Sequence, residues 1–156
     1  MNKGLNNYSK IFSSAISIVL LFLIFTSCSV SSDNSHQNCR SLYNDGQYYY
    51  NASNYSSALD SLEEALACYQ ENINKDWEGR TLTLIGIVQE NLGQYSLAIS
   101  TYQEALNIFR ENGDLKSEGS IQNNIGVVYT YLGEYDEASS YFQKSLSIRK
   151  EVNDQE

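Results

Sequence analysis

From Cys39 onward the apolar positions fall into short helical stripes separated by turn-forming residues. Over residues 95–109, Ala98, Tyr102, Ala105, Leu106 and Phe109 keep the three-and-four spacing of one buried helix face. The same pattern returns every forty residues. Gly46, Gly86 and Gly126 line up, as do Tyr55, Tyr95 and Tyr135, then Ala58, Ala98 and Ala138, then Leu62, Tyr102 and Phe142. Ala65, Ala105 and Ser145 follow, each ahead of a leucine. A fixed period of this length predicts stacked helical hairpins, each burying its apolar face only against its neighbours.

Glycine inside an apolar helix costs about 1 kcal/mol relative to alanine. Gly86 and Gly126 carry that cost in apolar stretches. Close approach of two helix backbones accounts for it, with Ala58, Ala98 and Ala138 on the facing helices and aromatics in the wider gaps. Gly93 and Gly133 suit the left-handed cap that ends a helix before a tight turn. In the first repeat Ser53 replaces that glycine, and the neighbouring Asn54 is expected to adopt the left-handed conformation.

These residues resemble the tetratricopeptide repeat, whose pattern is a small residue in helix A, a turn glycine, a tyrosine, and then alanine, aromatic and alanine along helix B. The second repeat reads Ile85-Gly86, Gly93, Tyr95, Ala98, Tyr102 and Ala105-Leu106, and the third reads Ile125-Gly126, Tyr129, Gly133, Tyr135, Ala138, Phe142 and Ser145-Leu146. The forty-residue spacing is most similar to the long-spaced, kinesin-light-chain-like branch. The resemblance implies an all-α, right-handed αα-hairpin solenoid of three repeats, over residues 39–78, 79–118 and 119–156.

The first residues carry a different pattern. Lys3 and Lys10 precede an apolar run from Ile11 to Phe25, short for the roughly 20 residues of a membrane-spanning helix. The run ends in Phe25-Thr26-Ser27-Cys28, which resembles a bacterial lipoprotein processing site. The resemblance implies a signal peptide over residues 1–27, acylation of Cys28, and anchorage in the cell envelope. Ser29 stands where an aspartate would signal inner-membrane retention, which points to the outer membrane. Residues 28–38 then read as a polar tether with a root-mean-square span of roughly 20 Å. His36, the single histidine, lies in that tether.

The formal net charge is -9, and residues 1–27 contribute two lysines and no acids to it. Such a balance argues against nucleic acid, which needs clustered Lys and Arg. The acids at Glu63, Glu64, Glu104, Glu134, Asp136 and Glu137 read as a solvated helix B face. Of the remaining cysteines, Cys39 opens helix A of the first repeat and Cys68 falls near the end of its helix B. Those ends are neighbours in a hairpin, so export would permit a disulfide. Cys68 also aligns with Ile108 and Ile148, and a small buried hydrophobe fits that position equally well. No nucleophile elbow, phosphate loop or metal-spaced ligand cluster is present, so neither catalysis nor a cofactor is expected.

In tetratricopeptide proteins helix A lines a concave groove. The corresponding positions here are Arg40, Tyr43, Gln47 and Tyr50, then Arg80, Thr83, Leu84, Ile87, Glu90 and Asn91, then Asn123, Asn124, Val127, Thr130 and Tyr131. Arg40 and Arg80 share one register, suited to a carboxylate. The adjacent amides Asn123 and Asn124 can donate to and accept from a peptide backbone. Of the run Tyr48-Tyr49-Tyr50 only Tyr50 is expected in the groove, and Trp77 is expected to pin the connection between repeats. The reading is a lipid-anchored scaffold that binds a protein or peptide. Two alternatives remain: a structural lipoprotein dimerising through residues 135–152, where Tyr141, Leu146 and Ile148 end the stack uncapped, or a shortened relative of a larger repeat-plus-effector protein.

Overall fold

The computed structural model describes residues 37–155. The signal-peptide stretch, Cys28, the tether and His36 lie outside them. Six helices make up the described residues: α1 over residues 37–51, α2 Tyr55–Glu71, α3 Lys75–Asn91, α4 Tyr95–Asn112, α5 Leu115–Leu132 and α6 Tyr135–Gln155. Each packs on the next in chain order, so the unit from Asn38 onward is a stack of three αα-hairpins. None of these helices is long and apolar enough to cross a membrane.

The turns share one backbone. Residues 53, 73, 93, 113 and 133 all have positive φ, between 53° and 78°, so the turn geometry recurs every twenty residues. At each, the left-handed residue donates its N–H to the carbonyl three residues back, and the next residue donates to the carbonyl five back. That pair of bonds satisfies two carbonyls left orphaned at the helix end. The following residue then opens the next helix. Asn54, Asn74 and Asp114 each accept an N–H three residues on, from Ser57, Trp77 and Ser117. The assignment of the left-handed role to Asn54 is therefore corrected. Ser53 takes φ 59°, while Asn54 sits at φ -88° as the N-cap of α2.

The core runs through the hairpins in register. Ala58 and Leu62 of α2 meet Leu84, Ile85 and Val88 of α3. Ala98, Tyr102, Ala105, Leu106 and Phe109 of α4 meet Leu82 on one side and Ile121, Ile125 and Val128 on the other. The reason for the helix A glycines also differs from close backbone approach. A Cβ on Gly86 would lie 2.5 Å from the Tyr102 ring, and one on Gly126 would lie 2.7 Å from the Phe142 ring. Glycine here makes a slot for the aromatic of helix B.

A second glycine register, at Gly79 and Gly119, faces Ile108 and Ile148 near the hairpin base. In the first hairpin these positions are Cys39 and Cys68. They are joined as a disulfide, with Cα atoms 5.4 Å apart. Asn72 donates to the Cys68 carbonyl at 2.7 Å beside it.

Candidate interaction surface

The open face of the A helices gathers its side chains around one ring. Trp77 lies in the first turn of α3, inside the helix rather than in the connection before it. Its indole stacks on Tyr69 with centroids 5.6 Å apart and takes the edge of Tyr43 at 5.2 Å. The guanidiniums of Arg40 and Arg80 lie 5.5 and 5.8 Å from that same ring centroid. The shared register of the two arginines thus becomes physical proximity, as cation–π contacts hold both beside one indole. Arg80 also donates Nε to Asp76 at 2.9 Å, which holds its guanidinium pKa above the ordinary arginine value. Burial raises the Tyr43 pKa, with Arg80 opposing, so the phenol stays neutral.

Next to this cluster is a recess of about 440 Å³ lined by residues from all three repeats. Tyr43 comes from α1, Arg80 and Thr83 from α3, and Asp114, Ser117 and Ser120 from the start of α5. Asp114 works as a helix cap there. Burial opposes its charge, but bonds from the Ser117 hydroxyl and N–H outweigh that and lower its pKa. Thr83 returns its hydroxyl to the Gly79 carbonyl at 2.8 Å, leaving its methyl and one oxygen lone pair for the recess.

The other expected groove residues divide. Asn123 and Asn124 are half-buried, and neither side chain has a hydrogen-bond partner among the described residues. Half-buried amides without partners are rare enough to need an explanation. Asn123 shares the register of Tyr43 and Thr83, on the recess face. Asn124 shares the register of Leu84, which is buried against Ala58 and Leu62, so Leu84 belongs to the core and not to the groove. Ile87 is likewise half-buried and packs on the core. Asn91 is committed internally, donating to the Ile87 carbonyl at 2.8 Å and accepting from Tyr55. Glu90 accepts from the Tyr102 hydroxyl at 3.1 Å. Tyr131 stacks on Tyr95 at 5.6 Å, and Tyr50 packs beside Tyr55 at 6.1 Å. Gln47 is exposed and Val127 half-buried, neither with a hydrogen-bond or ring partner.

What the sequence reading missed is the Trp77 platform and the contribution of the α5 start. The first was legible as a tryptophan three residues past the capping Asn74. The second was not, since Asp114 and Ser117 look like an ordinary helix cap until α3 is placed beside them. Among the described residues no three His, Cys, Asp or Glu converge to hold a metal ion.

Comparison with known proteins agrees with this geometry. The tetratricopeptide repeat model matches residues 38–111 and again 77–151. No curated protein matches by sequence. Among solved structures, the chain is similar to the TPR domain of Arabidopsis FLU, with TM-score 0.70 at 19% identity, over 76% of this chain and 98% of that one. It is similar to the Rap conjugation gene regulator of plasmid pLS20 in complex with the Phr* peptide, with TM-score 0.65 at 20% identity, over 71% of this chain and 31% of that one. It also resembles the TPR2AB domain of yeast Sti1 in complex with an HSP90 peptide, with TM-score 0.61 at 24% identity, over 70% and 40%. The chain therefore spans nearly all of the first but well under half of the other two.

Proposed function

This chain belongs to the tetratricopeptide repeat family, and on that premise we propose that it is a lipid-anchored scaffold of the bacterial envelope, holding an extended protein or peptide segment along its A helices. The observation that carries the reading is the recess itself. Three successive A helices each bring polar or aromatic side chains to one opening, beside two arginines ordered on Trp77. A site assembled from three repeats recognises length, so an extended segment fits it better than a small molecule. The unpartnered Asn123 supplies a donor and an acceptor for a peptide backbone. The solved relatives captured with peptides make that occupant reasonable for this fold. The anchor rests on Cys28 and the apolar run before it, and the repeat spacing of forty on a kinesin-light-chain-like arrangement.

Two experiments test the parts separately. Full chain solubilised from host envelopes is compared with an Arg80→Ala, Asn123→Ala variant of unchanged helical circular dichroism. Loss of one protein from the variant's captured set supports the recess, and identical captured sets refute it. Metabolic labelling with a fatty-acid probe reads the anchor: label that disappears in Cys28→Ser supports it, and an unlabelled wild-type chain refutes it.

A further inference from the structure

The two ends of the stack differ in chemistry. Within the stack, the outer face of each helix B is sealed by helix A of the following repeat. Leu106 is 5% exposed and Tyr102 is fully buried by this means. Their counterparts in the last repeat, Leu146 and Phe142, are 54% and 37% exposed, and Tyr135 is open beside them. With Ala138, Ser139 and Gln143 they form one shallow apolar trough along α6.

A second copy continuing the stack end to end would have to cover that trough with its α1. The residues that seal the equivalent face inside the stack are Leu84, Ile85 and Val88. Forty positions earlier, α1 carries Asn44, Asp45 and Tyr48, all exposed. Burying that amide and carboxylate against leucine and phenylalanine leaves polar groups without partners, which costs several kcal/mol. The first helix is thus a polar cap, and open-ended polymerisation is disfavoured.

The trough, however, complements itself. Residues 134–137 hold three acids, Glu134, Asp136 and Glu137, while residues 144–150 hold Lys144, Arg149 and Lys150 and no acid. Two α6 helices lying antiparallel bring each acidic start toward the basic half of the other. Centred on the trough, Tyr135 then meets Leu146 of the second copy, and the small Ser139 receives its Phe142. A parallel pair would set acid against acid and base against base.

We infer that α6 is a homodimer interface, in which two copies pair about a two-fold axis with their α6 helices antiparallel. The contact is isologous and closes at two copies. It leaves the recess on the A helices free, so it stands independently of what that recess binds.

The test uses the full chain in density-matched non-ionic detergent. With Tyr135→p-benzoylphenylalanine, irradiation is expected to join two copies, with the cross-link mapping from residue 135 to residues 144–150 of the second copy. Sedimentation equilibrium is expected to show dimers whose dissociation constant rises at least about tenfold in Leu146→Asp, roughly 1.4 kcal/mol, while helical circular dichroism is unchanged. Leu146 is exposed, so this change should not unfold the hairpin. A link into α1, a link to residue 135 itself, monomers at every concentration, or dimers indifferent to Leu146→Asp would each overturn the inference.

Discussion

Ile73 is a β-branched residue held at φ 53° and 82% exposed, so it bears the steric cost of the left-handed region with almost no burial in return. Replacement by glycine, which the equivalent positions 93, 113 and 133 already carry, is expected to stabilise the fold by about 1 kcal/mol in urea unfolding. Gly93→Ala should do the opposite by a similar amount, although nothing lies within 4 Å of the added methyl, because the penalty is in the backbone. Gly86→Ala fails for a different reason. Its Cβ would meet the Tyr102 ring, which is buried and bonded to Glu90, so the ring has nowhere to move. Overpacking of this kind costs roughly 1–3 kcal/mol, and the loss should shrink when Tyr102→Leu is made alongside. Glu90 offers a pH readout. Burial raises its carboxyl pKa above the ordinary 4.5, with the Tyr102 hydroxyl partly opposing. A raised pKa means the protonated form favours the fold, so the contribution is present at low pH and lost as pH rises through the folded value. Glu90→Gln should therefore raise the melting temperature at neutral pH, with the gain fading below about pH 4.5.

At the scale of elements, the forty-residue pattern was enough to read three hairpins, their turn glycines at 93 and 133, and the buried stripe of α4. It did not reveal that the turn within a hairpin and the turn between hairpins are alike. The two inter-hairpin turns present different residues, Ile73 and Gly113, at the left-handed position, and no side-chain rule selects isoleucine there. Nor could periodicity separate Asn123 from Asn124, since adjacent helical residues diverge by about 100° and only packing shows which one faces the opening. The cysteines were an open pair for the same reason: a Gly–Ile contact and a Cys–Cys bond fit one register. The disulfide of the first hairpin should stabilise it by about 3–4 kcal/mol, the range for a loop of this size. Denaturant midpoints with and without reductant measure that. Thiol counting in denaturant should find Cys39 and Cys68 unreactive until reduced, and reaction of both beforehand would refute the bond.

For the whole stack, cohesion is carried by nearest neighbours, as in other solenoids, so stability should fall toward any end that lacks a covering helix. Amide exchange should be slowest in α3, α4 and α5, where the buried residues concentrate, and fastest in α6. If α6 pairs between copies, its protection should also rise with protein concentration while that of α3 does not. The opposite end behaves differently under load. A pull on the chain upstream of Cys39 passes through the sulfur bridge to Cys68 rather than along α1 and α2, because the bond spans 29 positions. Roughly 100 Å of contour length, at about 3.5 Å per residue, is thereby withheld from extension. Under oxidising conditions the first hairpin is a short, stiff link in tension, and reduction turns that same link into a long and extensible one.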